Sequence, residues 1–240
     1  MTLDGTNTWL IAAPGSTQAV VIDPGPDDEK HLSAVLDAAR QRGLRVVSTL
    51  LTHGHLDHSA GARRFAEMSG SQVRALDPAH RYGGAGLADG EVLDLDGLRL
   101  AVVTTPGHTT DSLSFLLSDL QALLTGDTVL GRGTAVIAYP DGRLGDYLSS
   151  LTRMRDLCGT ADVNLLLPGH GPVLPRPGEV LDGYLNHRQA RLEQVRLAVA
   201  AGARTAPEVV AAVYTEIDPV LRPAAELSVR AQLEYLDALN

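Results

Sequence analysis

The sequence has very little of three things: cysteine, long apolar segments and positive charge. Its single cysteine, Cys158, has no partner for a disulfide, which excludes a disulfide-rich secreted scaffold and favours a reducing, cytoplasmic location. No segment is apolar over the length of a membrane span and no signal peptide precedes the first motif, so we expect no membrane partner. The net charge of −9 gives no general attraction for a polyanion, so duplex DNA is not an expected partner.

The sequence does contain a regular alternation of strand-like and helix-like segments. Apolar residues make up 44% of the 240 residues, which is enough for a large buried core. Short runs of valine, isoleucine and leucine alternate with helix-like stretches up to about residue 175, which predicts an α/β fold of sandwiched sheets with helices outside. The predicted strands are Thr8–Ile11, Ala19–Ile22, Arg45–Thr52, Leu98–Thr105, Ala122–Gly126 and Val163–Leu167, and the predicted helices are Asp28–Arg42 and Ser59–Met68.

Histidine is concentrated where the predicted strands end. Five of the eight histidines lie in short motifs flanked by glycine or proline, and a further motif of this kind supplies an aspartate. Glycine in these loops allows the backbone to approach a ligand closely. Four strand ends that converge on one edge predict an active site at that edge. The motifs are residues 52–58 (THGHLDH), Pro-Gly-His108, Gly-Asp127 and Pro-Gly-His170-Gly.

The spacing within residues 52–58 suits two cations. Alternate side chains of an extended segment point the same way, so His53 and His55 can bind one cation. Asp57 and His58 fall where the chain turns into the next predicted helix, so they can face a second cation. Imidazole and carboxylate ligands without thiolate suit two divalent ions, zinc first, with manganese or iron as alternatives. Any one histidine could equally be a turn or core residue, and their joint occurrence favours the metal site.

These motifs resemble the metallo-β-lactamase superfamily signature, His-x-His-x-Asp-His followed by His, Asp and His, over about residues 6–175. The resemblance implies an αββα sandwich and a hydrolase in which hydroxide held between two metal ions attacks an ester-like bond. It also implies that Asp57 is catalytic, because its carboxylate can orient that hydroxide or accept its proton. The implied ligands are His53, His55 and His108 for the first ion, Asp57, His58 and His170 for the second, and Asp127 for both.

Several other residues are candidates for supporting roles. Asp23 is placed like a residue that supports the metal ligands from behind in this superfamily, although it is explained equally well as a turn initiator before Pro-Gly. Arg132, Tyr82 and His187 are candidates for lining the substrate cleft, with ordinary surface positions as the alternative. The segment Gly131–Gly145 is long for a connection, so we expect it to cover the metals and shape specificity.

The composition shifts beyond a proline-rich joint at residues 172–178, from valine and glycine to alanine, leucine, arginine and glutamate. We therefore divide the chain into a catalytic domain, residues 1–175, and a helical C-terminal appendage, residues 178–240. The appendage resembles the winged helix of a superfamily branch that includes a single-strand endoribonuclease, but no β-hairpin wing is evident in it. Its predicted helices are Glu179–Ala201, Ala206–Tyr214 after an N-cap at Thr205, and Pro223–Leu239.

Three functions fit these residues. The resemblance to the endoribonuclease branch implies hydrolysis of single-stranded RNA, which would need a local basic patch on an acidic protein. The glyoxalase II and acyl-carrier enzymes of the superfamily imply a thioester hydrolase as the alternative, which needs only a carbonyl to polarise and a thiolate to leave. A non-enzymatic, metal-dependent binding scaffold is disfavoured because all seven ligand positions are filled. The expected substrate is therefore single-stranded RNA or a small-molecule ester or thioester.

Overall fold

The computed structural model of the chain describes residues 5–239 and begins with a four-stranded sheet. The strands β1 (Trp9–Ile11), β2 (Gln18–Ile22), β3 (Arg45–Leu50) and β4 (Gln72–Arg74) lie side by side in that order. β1 is antiparallel to β2, whereas β2, β3 and β4 run parallel to one another. The carboxyl ends of the last three strands therefore lie at the same edge.

A six-stranded sheet follows in the sequence. Its strands are β5 (Val92–Leu95), β6 (Leu98–Thr104), β7 (Leu113–Leu117), β8 (Ala122–Gly126), β9 (Leu165–Pro168) and β10 (Leu174–Pro175), and they lie in the order β10-β9-β8-β7-β6-β5. β8 and β9 are parallel, and every other neighbouring pair is antiparallel. β6, β8 and β9 consequently run in the same direction.

Seven α-helices are present in the described residues. They are α1 (Glu29–Gln41), α2 (Leu56–Ser59), α3 (Ala62–Ser69), α4 (Leu144–Thr160), α5 (Pro177–Ala200), α6 (Ala206–Val213) and α7 (Arg222–Ala238), with short 3₁₀ turns at Pro78–His80, Ser118–Leu120 and Pro219–Leu221. Side chains cap two helices at the N-termini predicted from the sequence. Asp28 accepts from the backbone of His31 at the start of α1, and Thr205 and Glu208 form a capping box at α6.

The two sheets pack face to face, and helices cover their outer faces. Successive side chains of a strand point to opposite faces, so in β2 Val20 and Ile22 pack between the sheets while Val21 packs against α1 and α3. In β7, Phe115 likewise faces the space between the sheets and Leu116 faces α4. Because both faces are covered, these strands are apolar along their length. This is the predicted αββα sandwich.

The C-terminal helices share a core with the second sheet. Leu181 and Tyr184 of α5 and Ala231 of α7 are buried in the same cluster as Tyr147 and Leu151 of α4. A separate apolar cluster joins α5, α6 and α7 to one another. The segment beyond residue 177 is therefore packed against the sandwich through α5 and α7.

Two sequence-based details differ from the structure. The single helix predicted over Ser59–Met68 is wrong: α2 and α3 are separated at Gly61, whose amide donates to the carbonyl of Gly25. The strand predicted from Val163 begins at Leu165, because Asn164 and Leu165 bond to the carbonyl of Gln121 as the chain enters the sheet. Among the described residues, no helix combines the length and the hydrophobicity needed to cross a membrane.

Candidate active site

The residues predicted as metal ligands follow strand ends at one edge of the sandwich. Residues 53–58 follow β3, and His108, Asp127 and His170 follow β6, β8 and β9 of the second sheet. These three strands run in the same direction, so their carboxyl ends lie together. The fold thereby brings side chains that are up to 117 positions apart, from His53 to His170, into one cluster.

Three imidazole rings form the first ligand group: His53, His55 and His108. Nε2 of His53 lies 3.0 Å from Nδ1 of His55, and Nε2 of His108 lies 3.1 Å from the same atom. Ligand atoms around a tetrahedral zinc ion with bonds of about 2.0–2.1 Å are roughly 3.3 Å apart. The three nitrogens therefore have the spacing of ligands to one divalent ion.

Asp57, His58 and His170 form the second ligand group. Nε2 of His58 and Nε2 of His170 are 3.2 Å apart, and Oδ2 of Asp57 lies 3.3 Å from Nε2 of His170. Oδ2 of Asp57 is also 3.8 Å from Nε2 of His58. Two imidazole nitrogens and one carboxylate oxygen thus converge on a second position.

The carboxylate of Asp127 contacts both groups. Its Oδ2 lies 3.3 Å from Nε2 of His170 and 3.8 Å from Nε2 of His108, and its Oδ1 lies 3.5 Å from Nε2 of His58. Burial alone would raise the pKa of Asp127, but the interactions with His170 and His58 outweigh it and hold the pKa well below its usual range. Oδ1 is buried and has no hydrogen-bond partner among the described residues. Nε2 of His58, 3.5 Å away, makes no hydrogen bond to this buried oxygen, which is therefore left without a direct partner in the described part of the chain. A bound cation would supply one, so the residues fit a metal.

Four of the five histidines also bond to a protein oxygen through the ring nitrogen that faces away from the ligand groups. Such a bond fixes the orientation and the tautomer of the ring, so that the opposite nitrogen carries the lone pair that a metal requires. The pairs are His53 with Oγ1 of Thr52 (3.0 Å), His58 with Oδ2 of Asp23 (2.9 Å), and His108 and His170 with the carbonyls of Val136 and Gly5 (both 2.9 Å).

Asp23 lies behind the two ligand groups. It is 1% exposed, and it accepts hydrogen bonds from the backbone and the side chain of Thr52 (2.8 and 2.6 Å) as well as meeting His58. Its φ of 51° is left-handed, a conformation that costs a non-glycine residue about 1–3 kcal/mol. These contacts stabilise that conformation, and through Thr52 they reach His53 as well.

The histidines differ in their affinity for protons. Burial lowers the pKa of His53 and His108, so both rings are neutral and ready to bind a metal at pH 7. Burial also acts to lower the pKa of His58, but the charges of Asp23 and Asp127 prevail and raise it to about 10. For His170 the bond to Asp127 outweighs burial and raises the pKa. Metal binding at the second group must therefore displace protons.

A cavity of about 490 Å³ lies above the ligand groups. Five of the seven ligand residues line it, and Arg132 lies in its wall. Residues 132–136 belong to the long segment that was expected to cover the metals, and Leu221 comes from the turn before α7. The full lining is His55, Asp57, His108, Asp127, Leu130, Arg132, Gly133, Thr134, Ala135, Val136, Ala138, Asp141, His170 and Leu221.

The structure does not bring Tyr82 or His187 to this cavity. The Tyr82 ring is covered by the guanidinium of Arg63, 5.0 Å from the ring centroid, and packs against the cluster below α3. His187 is exposed on α5 and is not among the residues that line the cavity. Both were chosen from loop and helix position alone, which does not reveal which way a side chain points.

Two kinds of residue escaped the sequence interpretation. Val136 and Leu221 line the cavity as exposed apolar side chains, 44% and 55% exposed, and no motif marks them. His80, which is not among the predicted ligands, lies with His55 in a smaller neighbouring cavity of about 200 Å³. Its ligand nitrogen lies within 4.8 Å of carboxylate oxygens of Asp77 and Asp111. In the sequence, only the position of His80 beside other polar loop residues indicates such a cluster.

The comparison that decides the family covers most of the chain. Residues 1–170 match the family model described as Metallo-beta-lactamase superfamily. The chain belongs to the metallo-beta-lactamase superfamily. Residues 205–239 match the Beta-lactamase associated winged helix domain, which agrees with the predicted resemblance of the tail. The described residues 177–239 contain helices and turns and no strand, so they lack the β-hairpin of a wing.

Relatives within the superfamily include a thioesterase. The Atrochrysone carboxyl ACP thioesterase of Aspergillus fumigatus is 31% identical over 89% of this chain and 70% of its own length. The Beta-lactamase-like protein 2 homolog of Caenorhabditis elegans is 31% identical over 98% of this chain and 79% of its own. A beta-lactamase domain protein from Burkholderia ambifaria has the same fold, with a TM-score of 0.83, 23% identity and coverage of 100% of this chain and 83% of that one.

Membership of this superfamily and the convergent ligand groups make the protein a metal-dependent hydrolase. Members of the metallo-beta-lactamase superfamily bind divalent metal ions, and the two His and Asp groups are the candidate positions for them here. The alternative of a non-enzymatic scaffold is not supported, because no ligand position has been lost.

Proposed function

We propose that the protein hydrolyses a thioester with an apolar acyl group. The observation that carries this proposal is the cavity above the ligand groups, whose outer wall is largely apolar. An acyl chain placed against such a wall gains about 0.8 kcal/mol for each methylene removed from water. The apolar residues of the wall are Leu130, Ala135, Val136, Ala138 and Leu221.

The chemistry requires a metal pair, for which we propose zinc, with manganese or iron as alternatives for the same ligand types. When bound, two divalent ions lower the pKa of a shared water and polarise the carbonyl to be attacked. We assign His53, His55 and His108 to one ion, Asp57, His58 and His170 to the other, and Asp127 to both. Asp23 would hold His58, and through Thr52 it would hold His53, in the orientation for binding.

Asp57 is the residue to which we assign proton transfer. Its side chain is 33% exposed and lines the cavity, so its carboxylate reaches the space where water and substrate meet. Asp57 accepts a proton from the attacking water, whose oxygen bonds to the carbonyl carbon. The carbon–sulfur bond then breaks, and the leaving sulfur takes up the proton from Asp57, which returns to its carboxylate form. The products are a carboxylic acid and a thiol.

Similarity to known proteins supports the same choice. The relative named as an ACP thioesterase covers 89% of this chain, so the likeness includes both the sandwich and the C-terminal helices. Thioester hydrolysis also makes no demand for positive charge, which is consistent with the net charge of −9.

Hydrolysis of single-stranded RNA is the second candidate. The match of residues 205–239 to a winged helix domain favours it, as does Arg132 in the cavity wall. Among the described residues, however, Arg132 is the only lysine or arginine in the lining of that cavity. Because affinity for a nucleic acid strand rests mainly on cations along its backbone, we rank RNA below a thioester.

The test incubates metal-loaded protein with single-stranded RNA in one assay and with coenzyme A thioesters, from acetyl to long-chain acyl, in another. We expect thiol release that increases with the length of the acyl chain. Asp57→Asn is the negative control, with thiol release reduced by about 10²–10⁴-fold because the proton acceptor, which is also a proposed metal ligand, is lost. RNA cleavage by the wild type but not by Asp57→Asn, without release of thiol, would overturn the choice of substrate.

A further inference from the structure

Two side chains of α5 hold the segment that forms the outer wall of the cavity. We propose that Tyr184 and Arg188 are positioning residues for the hydrolytic site, and that the C-terminal helices thereby set the selectivity for the acyl chain. The proposal rests on the proposed thioester hydrolysis. It gives the C-terminal helices a role in building the substrate cavity, independent of any binding of nucleic acid.

Tyr184 fixes the start of the wall. Its hydroxyl accepts a hydrogen bond from the backbone N–H of Leu130 at 2.8 Å. The same hydroxyl lies 3.1 Å from the carbonyl of Leu130 and 3.0 Å from that of Gly133, and can donate its one hydrogen to either. Tyr184 is 7% exposed, so these backbone groups would lose their partner in a place that water does not reach.

Arg188 fixes the middle of the wall from the next turn of α5. Residues four apart on a helix lie on the same face, so Arg188 reaches the segment beside Tyr184. Its Nη2 donates a hydrogen bond to the carbonyl of Ala135, and its guanidinium lies 5.0 Å from the centroid of the Tyr147 ring. Arg188 is 8% exposed, and among the described residues no carboxylate forms an ion pair with it. A buried cation without a counter-charge is costly, which points to a role that a neutral side chain does not fill.

The contacts of Arg188 lead to two of the ligand residues. The carbonyl next to that of Ala135 belongs to Val136, and it accepts from Nδ1 of His108 at 2.9 Å. Tyr147, beneath the guanidinium, donates to the carbonyl of Thr128 at 2.6 Å, one residue after Asp127. A shift of α5 or of the Arg188 side chain would therefore move both the cavity wall and the orientation of His108.

If Tyr184 and Arg188 served only to stabilise the fold, their substitution would give a different result. Tyr184 belongs to the core shared by α4 and the second sheet, so its removal could act on stability alone. Positioning would instead change the order in which acyl chains are preferred, because Leu130, Ala135 and Val136 line the cavity. It would also loosen the segment 130–136 in protein that is otherwise folded.

The test uses the full chain with Tyr184→Phe, Arg188→Met and Arg188→Lys, and Arg196→Met as control. Arg196 lies on the same helix but is exposed and paired with Glu193. For Tyr184→Phe and Arg188→Met, we expect the ratio of kcat/KM between long-chain and acetyl coenzyme A thioesters to change about 10-fold or more, since small misplacements cost up to about 100-fold. Arg188→Lys should restore part of the ratio, because an ammonium can donate to one carbonyl.

Amide hydrogen exchange of residues 130–136 gives a readout that does not depend on activity. We expect faster exchange in Tyr184→Phe and Arg188→Met, with wild-type exchange in Arg196→Met. Unchanged exchange together with unchanged acyl preference overturns the proposal. If the wild type hydrolyses no thioester, the proposed function fails while the exchange data still test the positioning. If Arg188→Met does not fold, Tyr184→Phe decides, because it keeps the ring and removes only the hydroxyl.

Discussion

The carboxylate of Asp23 lies 2.9 Å from Nδ1 of His58, although 35 positions separate the two residues in the chain. Asp23 follows β2 and His58 lies in α2, so the parallel pairing of β2 and β3 brings them together. The same carboxylate accepts a hydrogen bond from the Thr52 hydroxyl. The oxygen of that hydroxyl, Oγ1, lies 3.0 Å from Nδ1 of His53. One buried anion thus orients an imidazole in each ligand group.

This arrangement predicts the effect of Asp23→Asn. The amide keeps nearly the same shape, but it removes the negative charge that holds the Nδ1–H of His58. Loss of such a partner typically lowers metal affinity by about 10–100-fold, and we expect a loss of that size. Zinc titration of metal-free protein against a competing chelator measures it.

Asp94→Asn is the control for that substitution, because Asp94 is exposed on β5, far from the ligands in the fold. It should bind zinc as tightly as the wild type. Equal zinc affinities for Asp23→Asn and Asp94→Asn would show that Asp23 is only a turn residue before Pro-Gly.

Zinc binding should release protons near neutral pH. In metal-free protein the pKa of His58 is raised to about 10, so His58 is protonated at pH 7, and the pKa of His170 is raised by its bond to Asp127. The pKa of His58 is higher in the folded protein than its unfolded value near 6.5, so proton binding by His58 stabilises the metal-free fold. This contribution is complete below pH 6.5 and is lost as the pH rises through about 10. Zinc competes with those protons, so its affinity should rise with pH over the same range.

Calorimetric zinc titrations in buffers of different ionisation enthalpy count the protons released. Asp23→Asn should release fewer at pH 7, because the charge of Asp23 is the largest influence that raises the pKa of His58. The same proton count in both proteins would contradict the assignment of His58 as a protonated residue in the metal-free state.

The clustering of the candidate ligand side chains could be predicted from the sequence because their positions follow from local patterns. A strand period of two places His53 and His55 on one side, and glycine-containing loops after apolar strands mark His108, Asp127 and His170. The αββα sandwich follows from the same alternation, together with the superfamily signature. Local sequence was therefore enough to predict which edge of the fold holds the candidate ligands.

The cavity above the candidate ligands could not be predicted in this way, because it is made by packing between distant elements. Leu221 reaches the cavity only because α7 packs against α5, and Arg188 meets Ala135 across 53 positions. Tyr82 and His187, which their places in a loop and a helix suggest as cleft residues, lie elsewhere. Residue type indicates what a side chain can do, and tertiary packing decides what it faces.

Leu221 offers a test of the apolar wall with a neighbouring control. Leu221 lines the cavity, whereas Val220 beside it is 82% exposed and does not. Leu221→Ala should raise KM for long-chain acyl thioesters by several-fold, because each methylene of the acyl chain that stays in water costs about 0.8 kcal/mol of binding. Val220→Ala should leave KM unchanged. Steady-state kinetics with the two variants decides, and equal effects on KM would argue against an acyl chain at this wall.

Cys158 should resist alkylation in the folded protein. It is 5% exposed on α4, and burial raises the pKa of its thiol to about 11. Because only the thiolate reacts, the modification rate with iodoacetamide at pH 8 should be low in the native state and rise strongly on unfolding in urea. Mass spectrometry follows the added group. Rapid native modification would mean that α4 opens locally, away from the core that Cys158 shares with Tyr147 and Met154.

Gly169 gives the most direct test of the ligand cluster. A Cβ at this position would lie 2.5 Å from Oδ1 of Asp127 and 2.8 Å from Cε1 of His58. Gly169→Ala must therefore displace two of the proposed ligands, and we expect zinc affinity to fall by about 10-fold or more, the size of the effect when a ligand loses its orientation. Metal content after dialysis and thiol release should fall together.

Gly159→Ala is the matched control, because the same substitution in α4 finds no atom within 4 Å of the new Cβ. Replacing an exposed helical glycine by alanine should raise the free energy of unfolding by about 0.5–1 kcal/mol, with zinc content unchanged. Urea denaturation and metal analysis of both variants separate the two effects. If Gly169→Ala kept full zinc content, Asp127 and His58 could not both be metal ligands in the arrangement described, because the new methyl group leaves no room for them there.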